Sequence, residues 1–164
     1  MNGSQAIQSA IQSTQLVVTA LLEDLSDADL LIRPVPGANH IAWQLGHLID
    51  SEVQMIKDQL PGTAYPELPA GFTKQHTKET AAVDPPTGFL TKAQYLDLFK
   101  NVQAVTLATV SKLSDADLDK PTSGRMKSWF PTLGSVLLLA ANHPMMHVGQ
   151  FSVVRRKLGK PVVM

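Results

Sequence analysis

The chain has 164 residues, 44% hydrophobic and 17% charged, which fits one domain over residues 1–164 with a substantial apolar core. Its 14 basic and 14 acidic residues balance, so it lacks the clustered basic excess that marks a nucleic-acid surface. There is no cysteine, which excludes disulfides, thiolate metal ligands and a cysteine nucleophile.

The opening MNGSQAIQSAIQSTQ has neither a basic n-region nor a continuous apolar core, so it does not read as a secretory signal. Together with the missing cysteine this predicts a cytoplasmic protein. Apolar residues at spacings of three and four then predict a helix over Ser4–Leu25, with Ile7, Ile11, Val18, Leu21 and Leu25 on one stripe. A second helix is predicted over Asn39–Leu60, carrying Ala42, Leu45, Ile49, Val53, Ile56 and Leu60, with Asn39 as its N-cap and Pro61–Gly62 as its stop.

Pro61–Leu90 is rich in proline and glycine and reads as a long crossover that can wrap the bundle. The TKAQ at Thr91 reads as a capping box opening a third helix that runs to Leu113. The fourth is predicted from Thr132 to Leu158, where RRKLGKP supplies basic residues, a glycine and a proline. The run from Trp129 to Val154 has no charge and is long enough to span a bilayer, but Asn142, His143, His147 and Gln150 would be costly in lipid. No strand pattern competes, and the expectation is an all-α four-helix bundle.

LSDADL occurs twice, at Leu25–Leu30 and Leu113–Leu118, and at the same offset the Leu45–Gly46 pair maps onto Leu133–Gly134. Two helical halves therefore look duplicated, each with a serine (Ser26, Ser114) capping a short turn. The histidines break that symmetry: His47 maps onto Ser135, and His143 and His147 onto Met55 and Gln59.

Residues four apart on a helix lie about 6 Å apart along the axis and roughly 40° apart around it. His143 and His147 thus share a face, either as a metal-binding pair or as two hydrogen-bonded histidines. His47, on the inward side of the second helix, offers a third imidazole, and three histidines with an open position form a known catalytic arrangement. His40 lies seven residues before His47, roughly 10.5 Å away. It reads equally as lining a cleft mouth or as an ordinary first-turn residue. His76, in the crossover, has no helical context and is not assigned a role.

Pro144 removes a hydrogen bond to the Ala140 carbonyl and is expected to bend the last helix. Gly149 would let another helix approach closely. Gln150 is a candidate second-layer hydrogen-bond partner for a ligand or bound water. Asp50, three residues after His47, is the candidate general base or supporting acceptor, set against a plain solvated carboxylate, with Glu52 a weaker candidate. Ser135 lacks the G-x-S-x-G elbow and no phosphate-cradling glycine loop is present.

The segments RPVPGANHIAWQLGHLIDSE (Arg33–Glu52) and NHPMMHVGQFSVVRRKLGKP (Asn142–Pro161) resemble the two signature regions of the DinB/YfiT-like metalloprotein superfamily. The resemblance covers the bundle in length and helix order and is specific in these two regions. In that family one ligand histidine follows a proline-containing approach, and an H-x-x-x-H-x-G-Q pattern on the last helix carries the other two. Carried over, it implies His47, His143 and His147 as ligands of one divalent ion, zinc or nickel first, iron or manganese next. Three neutral imidazoles leave such an ion its full charge for Lewis-acid chemistry.

The activity implied is that of a metal-dependent enzyme, a thiol-dependent S-transferase or a hydrolase acting on a small electrophile. Without cysteine, thiol chemistry would need a low-molecular-weight thiol. The alternative is a non-catalytic metal-binding or stress-related interaction protein. The expected partner is a small-molecule substrate, with no nucleic acid and no membrane, and a homodimer stays open.

Overall fold

Side-chain caps decide where the helices begin. In the computed structural model, which describes residues 1–163, the helices are α1 (Gly3–Leu22), α2 (Ile41–Gln59), α3 (Phe72–Gln75), α4 (Lys92–Val110), α5 (Asp115–Leu118) and α6 (Leu133–Lys157), and all but α3, whose N-cap is Gly71, open on a side-chain cap. Asn2, Thr91, Ser114 and Thr132 each accept from the amide three residues on, in reciprocal capping boxes that satisfy otherwise orphaned donors. The TKAQ box thus forms as expected, although α4 ends at Val110 and α1 at Leu22, each short of the predicted Leu113 and Leu25.

The N-cap of α2 differs from the sequence expectation. His40, not Asn39, caps the helix: its Nδ1 accepts the Trp43 N–H at 3.1 Å, while the Asn39 carbonyl accepts from Gln44 Nε2 at 2.9 Å. At the other end of the chain α6 closes as expected. Gly159 turns with φ +68°, and the amides of Gly159 and Lys160 return to the carbonyls of Arg156 and Arg155. α6 runs unbroken through Pro144.

The four long helices form one bundle, with no strand among the described residues: α1 packs on α6 and α4, and α2 packs on the same two. Its interior is layered. One apolar cluster gathers Val18, Leu22, Leu45, Ile49, Phe99, Val102, Phe151 and Val154. A second, at the opposite end, gathers Ile7, Ile11, Met55, Ile56, Val110, Val136, Leu137 and Ala140.

Between the two, each long helix contributes a buried polar residue: Thr14, Glu52, Thr106 and His147. The hydroxyl of Thr14 sits 3.0 Å from the Ala141 carbonyl, and Thr106 donates to Glu52 Oε1 at 2.5 Å. Buried polar groups must be paired to be tolerated, and these are. Burial pushes the Glu52 carboxyl up to about 7, with the Thr106 hydrogen bond opposing.

The repeated LSDADL segments behave alike. Ser26 and Asp29 exchange hydrogen bonds, as do Ser114 and Asp117, and Leu30 and Leu118 are buried beneath. The two remaining aspartates reach across the halves. Asp27 accepts from the Lys92 amide at 2.6 Å at the start of α4, and Asp115 accepts from the Gly3 amide at 3.0 Å at the start of α1. This reciprocal capping is the pseudo-two-fold relation that the duplicated sequence implies.

The crossover between α2 and α4 is moored to the bundle at several points. Tyr65 Oη lies 2.8 Å from Thr106 Oγ1, and Trp43 Nε1 donates to Thr80 Oγ1 at 3.4 Å. Arg33 donates to Asp84 at 2.8 Å and to the Val83 carbonyl at 3.0 Å. His76 is buried against α2. Its Nδ1 donates to the Phe72 carbonyl at 2.7 Å and its Nε2 accepts from Tyr95 Oη at 2.8 Å.

Candidate metal centre

The apolar stripe that buries α2 against α6 carries three imidazoles into the contact between the two helices. One nitrogen from each of His47, His143 and His147 lies within 4.8 Å of the others. The ring centroids of His47 lie 5.2 Å from His143 and 5.5 Å from His147, and the two α6 rings are 5.0 Å apart. His147 is buried, whereas His47 and His143 are half-buried, so the cluster is reachable from outside.

Burial lowers the pKa of all three. His143 and His147 fall to about 4, with the neighbouring imidazoles adding to the effect, while at His47 the charge of Asp50 opposes the fall and that of Lys78 assists it. At neutral pH the rings are therefore uncharged and their lone pairs available.

Neighbouring side chains hold the rings of His147 and His47. Gln44, fully buried, accepts from His147 Nδ1–H at 2.8 Å through Oε1, because its own Nε2 is committed to the Asn39 carbonyl. The Nε2 lone pair is then what His147 has to offer. The Trp43 indole stacks on His47 with centroids 5.0 Å apart and planes 6° from parallel, and Ser51 Oγ lies 3.5 Å from His47 Nδ1.

Converging neutral nitrogens, a fixed tautomer and no carboxylate in the group form a donor set suited to a divalent transition-metal ion.

Of the other sequence candidates, Asp50 reaches the cluster only through its charge on His47, and the rest sit elsewhere. His40 is neither at a cleft mouth nor an exposed first-turn residue. It is 1% exposed, held as the α2 cap with Phe89 edge-on at 4.5 Å, and burial lowers its pKa to about 4. Asp50 is half-buried, and its Oδ1 accepts from Thr73 Oγ1 at 2.7 Å. Glu52 points into the mid-bundle layer rather than to the histidines. Gln150 is exposed on α6; the imidazoles hydrogen-bond instead to Gln44 and Ser51. Gly149, expected to admit a neighbouring helix, has no atom within 4 Å of where a Cβ would stand.

Sequence reading missed Gln44, Trp43 and the anchoring of His76. Gln44 was detectable in principle: it stands three residues before His47, an uncharged polar residue on a helix whose other inward positions are mostly apolar. His76 was not, because its partner surface is a glycine. A Cβ on Gly46 would stand 2.1 Å from His76 Nε2, so only glycine lets that ring lie on α2.

The molecule is thus a four-helix bundle in which α1 lies diagonally from α2 and α4 from α6, with an imidazole cluster built across the α2–α6 pair as a candidate metal centre. A DinB superfamily profile matches residues 10–151, and the chain belongs to that superfamily. Two solved structures share the fold. A conserved protein from Enterococcus faecalis superposes with a TM-score of 0.71 at 18% identity, covering 98% of this chain and 99% of that one. YfiT from Bacillus subtilis, described as a probable metal-dependent hydrolase with an unusual four-helix bundle topology, superposes at 0.68 with 15% identity, covering 96% and 89%. No curated protein matches the sequence. No helix among the described residues is long and apolar enough to cross a membrane.

Proposed function

We propose that the protein is a metal-dependent enzyme in which His47, His143 and His147 hold one divalent ion, zinc or nickel first, for the hydrolysis of a small electrophile. The observation that carries this reading is the convergence of three uncharged imidazole nitrogens within 4.8 Å at a partly open position. Bound there, a divalent ion supplies Lewis acidity that lowers the pKa of a coordinated water or thiol. The described activity of YfiT supports hydrolysis. The wider family resemblance keeps transfer to a low-molecular-weight thiol as the second reading, since this chain has no cysteine of its own.

The protein's own groups divide the remaining work. Gln44 holds His147 in the tautomer that exposes Nε2, and Trp43 keeps the His47 ring from turning. Asp50 is the carboxylate whose field acts on His47, and it serves as the proton acceptor while Thr73 fixes its orientation. The half-buried setting of His47 and His143 limits water without closing the site to a small substrate.

The test combines elemental analysis with a panel of esters, amides and activated electrophiles, each run with and without added thiol. The native protein should carry one equivalent of metal and turn over at least one substrate class. His147→Ala should lose the metal, and Asp50→Asn should keep it while kcat falls. Full metal content in His147→Ala removes the ligand assignment, and a metal-loaded protein inert across the panel removes the enzymatic one.

A further inference from the structure

Charge is distributed unevenly over the bundle. No charged side chain occurs between Met1 and Leu22 or between Trp129 and Val154, so α1 and nearly all of α6 are neutral. These two helices pack on each other. The outward face of α6 is not merely uncharged but apolar: Leu138, Met145, Met146 and Val153 are 44%, 42%, 60% and 45% exposed. Asn142 and the open Gly149 complete the stripe. A solvent-facing helix face ordinarily carries the charged residues, and an exposed apolar stripe of this length marks an interaction surface.

The two ends of the stripe carry opposite charges. Asp115 and Asp119 lie beside Ser135 and Leu138 in one surface depression, while Arg156 and Lys160 lie beside Met145 and Ser152 in another. Such a face complements itself when reversed. We infer that the α1/α6 face is the contact between two copies of this chain, with their α6 helices antiparallel across a two-fold axis at Met145 and Met146.

That register pairs Leu138 of each copy with Val153 of the other and Asn142 with Gly149. It also brings Arg156 of each copy to Ser135 and its acidic neighbours on the other. The glycine, with nothing within 4 Å of its Cβ position, lets the backbones come close on either side of the axis. An isologous contact of this kind is closed, with the same patch used twice.

The test is sedimentation equilibrium on the full chain. The native protein should have twice the chain mass at micromolar concentration. Leu138→Lys and Val153→Glu should each weaken association at least ~10-fold by leaving a charge unpaired in an apolar contact, with helical circular dichroism unchanged. The double variant should recover most of the loss. Its two charges lie about 22 Å apart within one helix, so they can attract only between copies.

A single-chain mass at every concentration overturns the inference, as does a dimer indifferent to Leu138→Lys. A double variant no tighter than the single ones overturns the antiparallel register. Binding of a monomeric chain to phosphatidylcholine vesicles would reassign the face to a lipid surface.

Discussion

His147 Nδ1 lies 2.8 Å from Gln44 Oε1, and the same amide donates to the Asn39 carbonyl at 2.9 Å. The tautomer of a buried ring on α6 is therefore set from the first turn of α2, by an amide whose orientation the backbone dictates.

Removing that acceptor should disturb metal binding before it disturbs the fold. Gln44→Leu is expected to weaken the affinity by about 10- to 100-fold, the usual effect of losing a hydrogen bond behind a ligand histidine. Competition against a chromophoric chelator measures the affinity, and nitrogen chemical shifts in metal-free protein report the tautomer. Unchanged affinity with an unchanged His147 Nδ1–H signal would show Gln44 to be a packing residue.

Glu52 predicts a pH dependence of stability. Its carboxyl titrates near 7 in the folded chain against an ordinary value of 4.5, because burial disfavours the charge. Below 4.5 both folded and unfolded states are protonated and nothing is lost. As pH rises from 4.5 through 7, the unfolded chain releases the proton first and folding weakens, by up to about 3 kcal/mol. Glu52→Gln keeps an acceptor for Thr106 and should match the native protein at pH 4 but exceed it at pH 8. Urea denaturation at both pH values decides the matter, and parallel curves would place the carboxylate in a wetter setting.

Gly46→Ala should destabilise the protein by ~1–3 kcal/mol, because the added methyl drives the His76 ring off its hydrogen bond with Tyr95. His76→Ala in the same chain should return part of that loss by opening room for the methyl. Thermal melts of the two single variants and the double form the cycle. Purely additive losses would mean that the two positions do not meet.

Chelation should leave the helices intact. Apolar clusters fill both ends of the bundle without help from the imidazoles, so metal-free protein should melt cooperatively, at a lower temperature because metal binds only the native state. Calorimetry with and without chelator measures the difference. Loss of helical circular dichroism at room temperature would recast the ion as a structural staple.

The helices were legible because apolar spacing and capping residues are local signals, and Thr91, Ser114 and Thr132 cap as their neighbours imply. The imidazole cluster was legible through the four-residue interval on α6 and the family pattern. What escaped depends on contacts between distant segments. His40 looks like a surface residue until Phe89, nearly fifty residues later, covers it. Gln44 gains its meaning from a ring on another helix, and Gly46 from a ring in the crossover. Asn39 lost the cap to His40 because α2 begins at Ile41, which puts His40 Nδ1 in reach of the Trp43 amide.

The crossed caps of Asp27 and Asp115 relate α1 to α4 and α2 to α6, and this gives the single imidazole cluster a history. Under that symmetry the counterparts of His47, His143 and His147 are Ser135, Met55 and Gln59, at the far end of the same α2–α6 seam. Gln59 there clasps the backbone of Ser123 on the approach to α6, donating to its carbonyl and accepting from its amide. Two identical halves would have to repeat every residue at both ends. Joined in one chain, they are free to divide the labour, one end of the seam holding the architecture while the other gathers nitrogen donors.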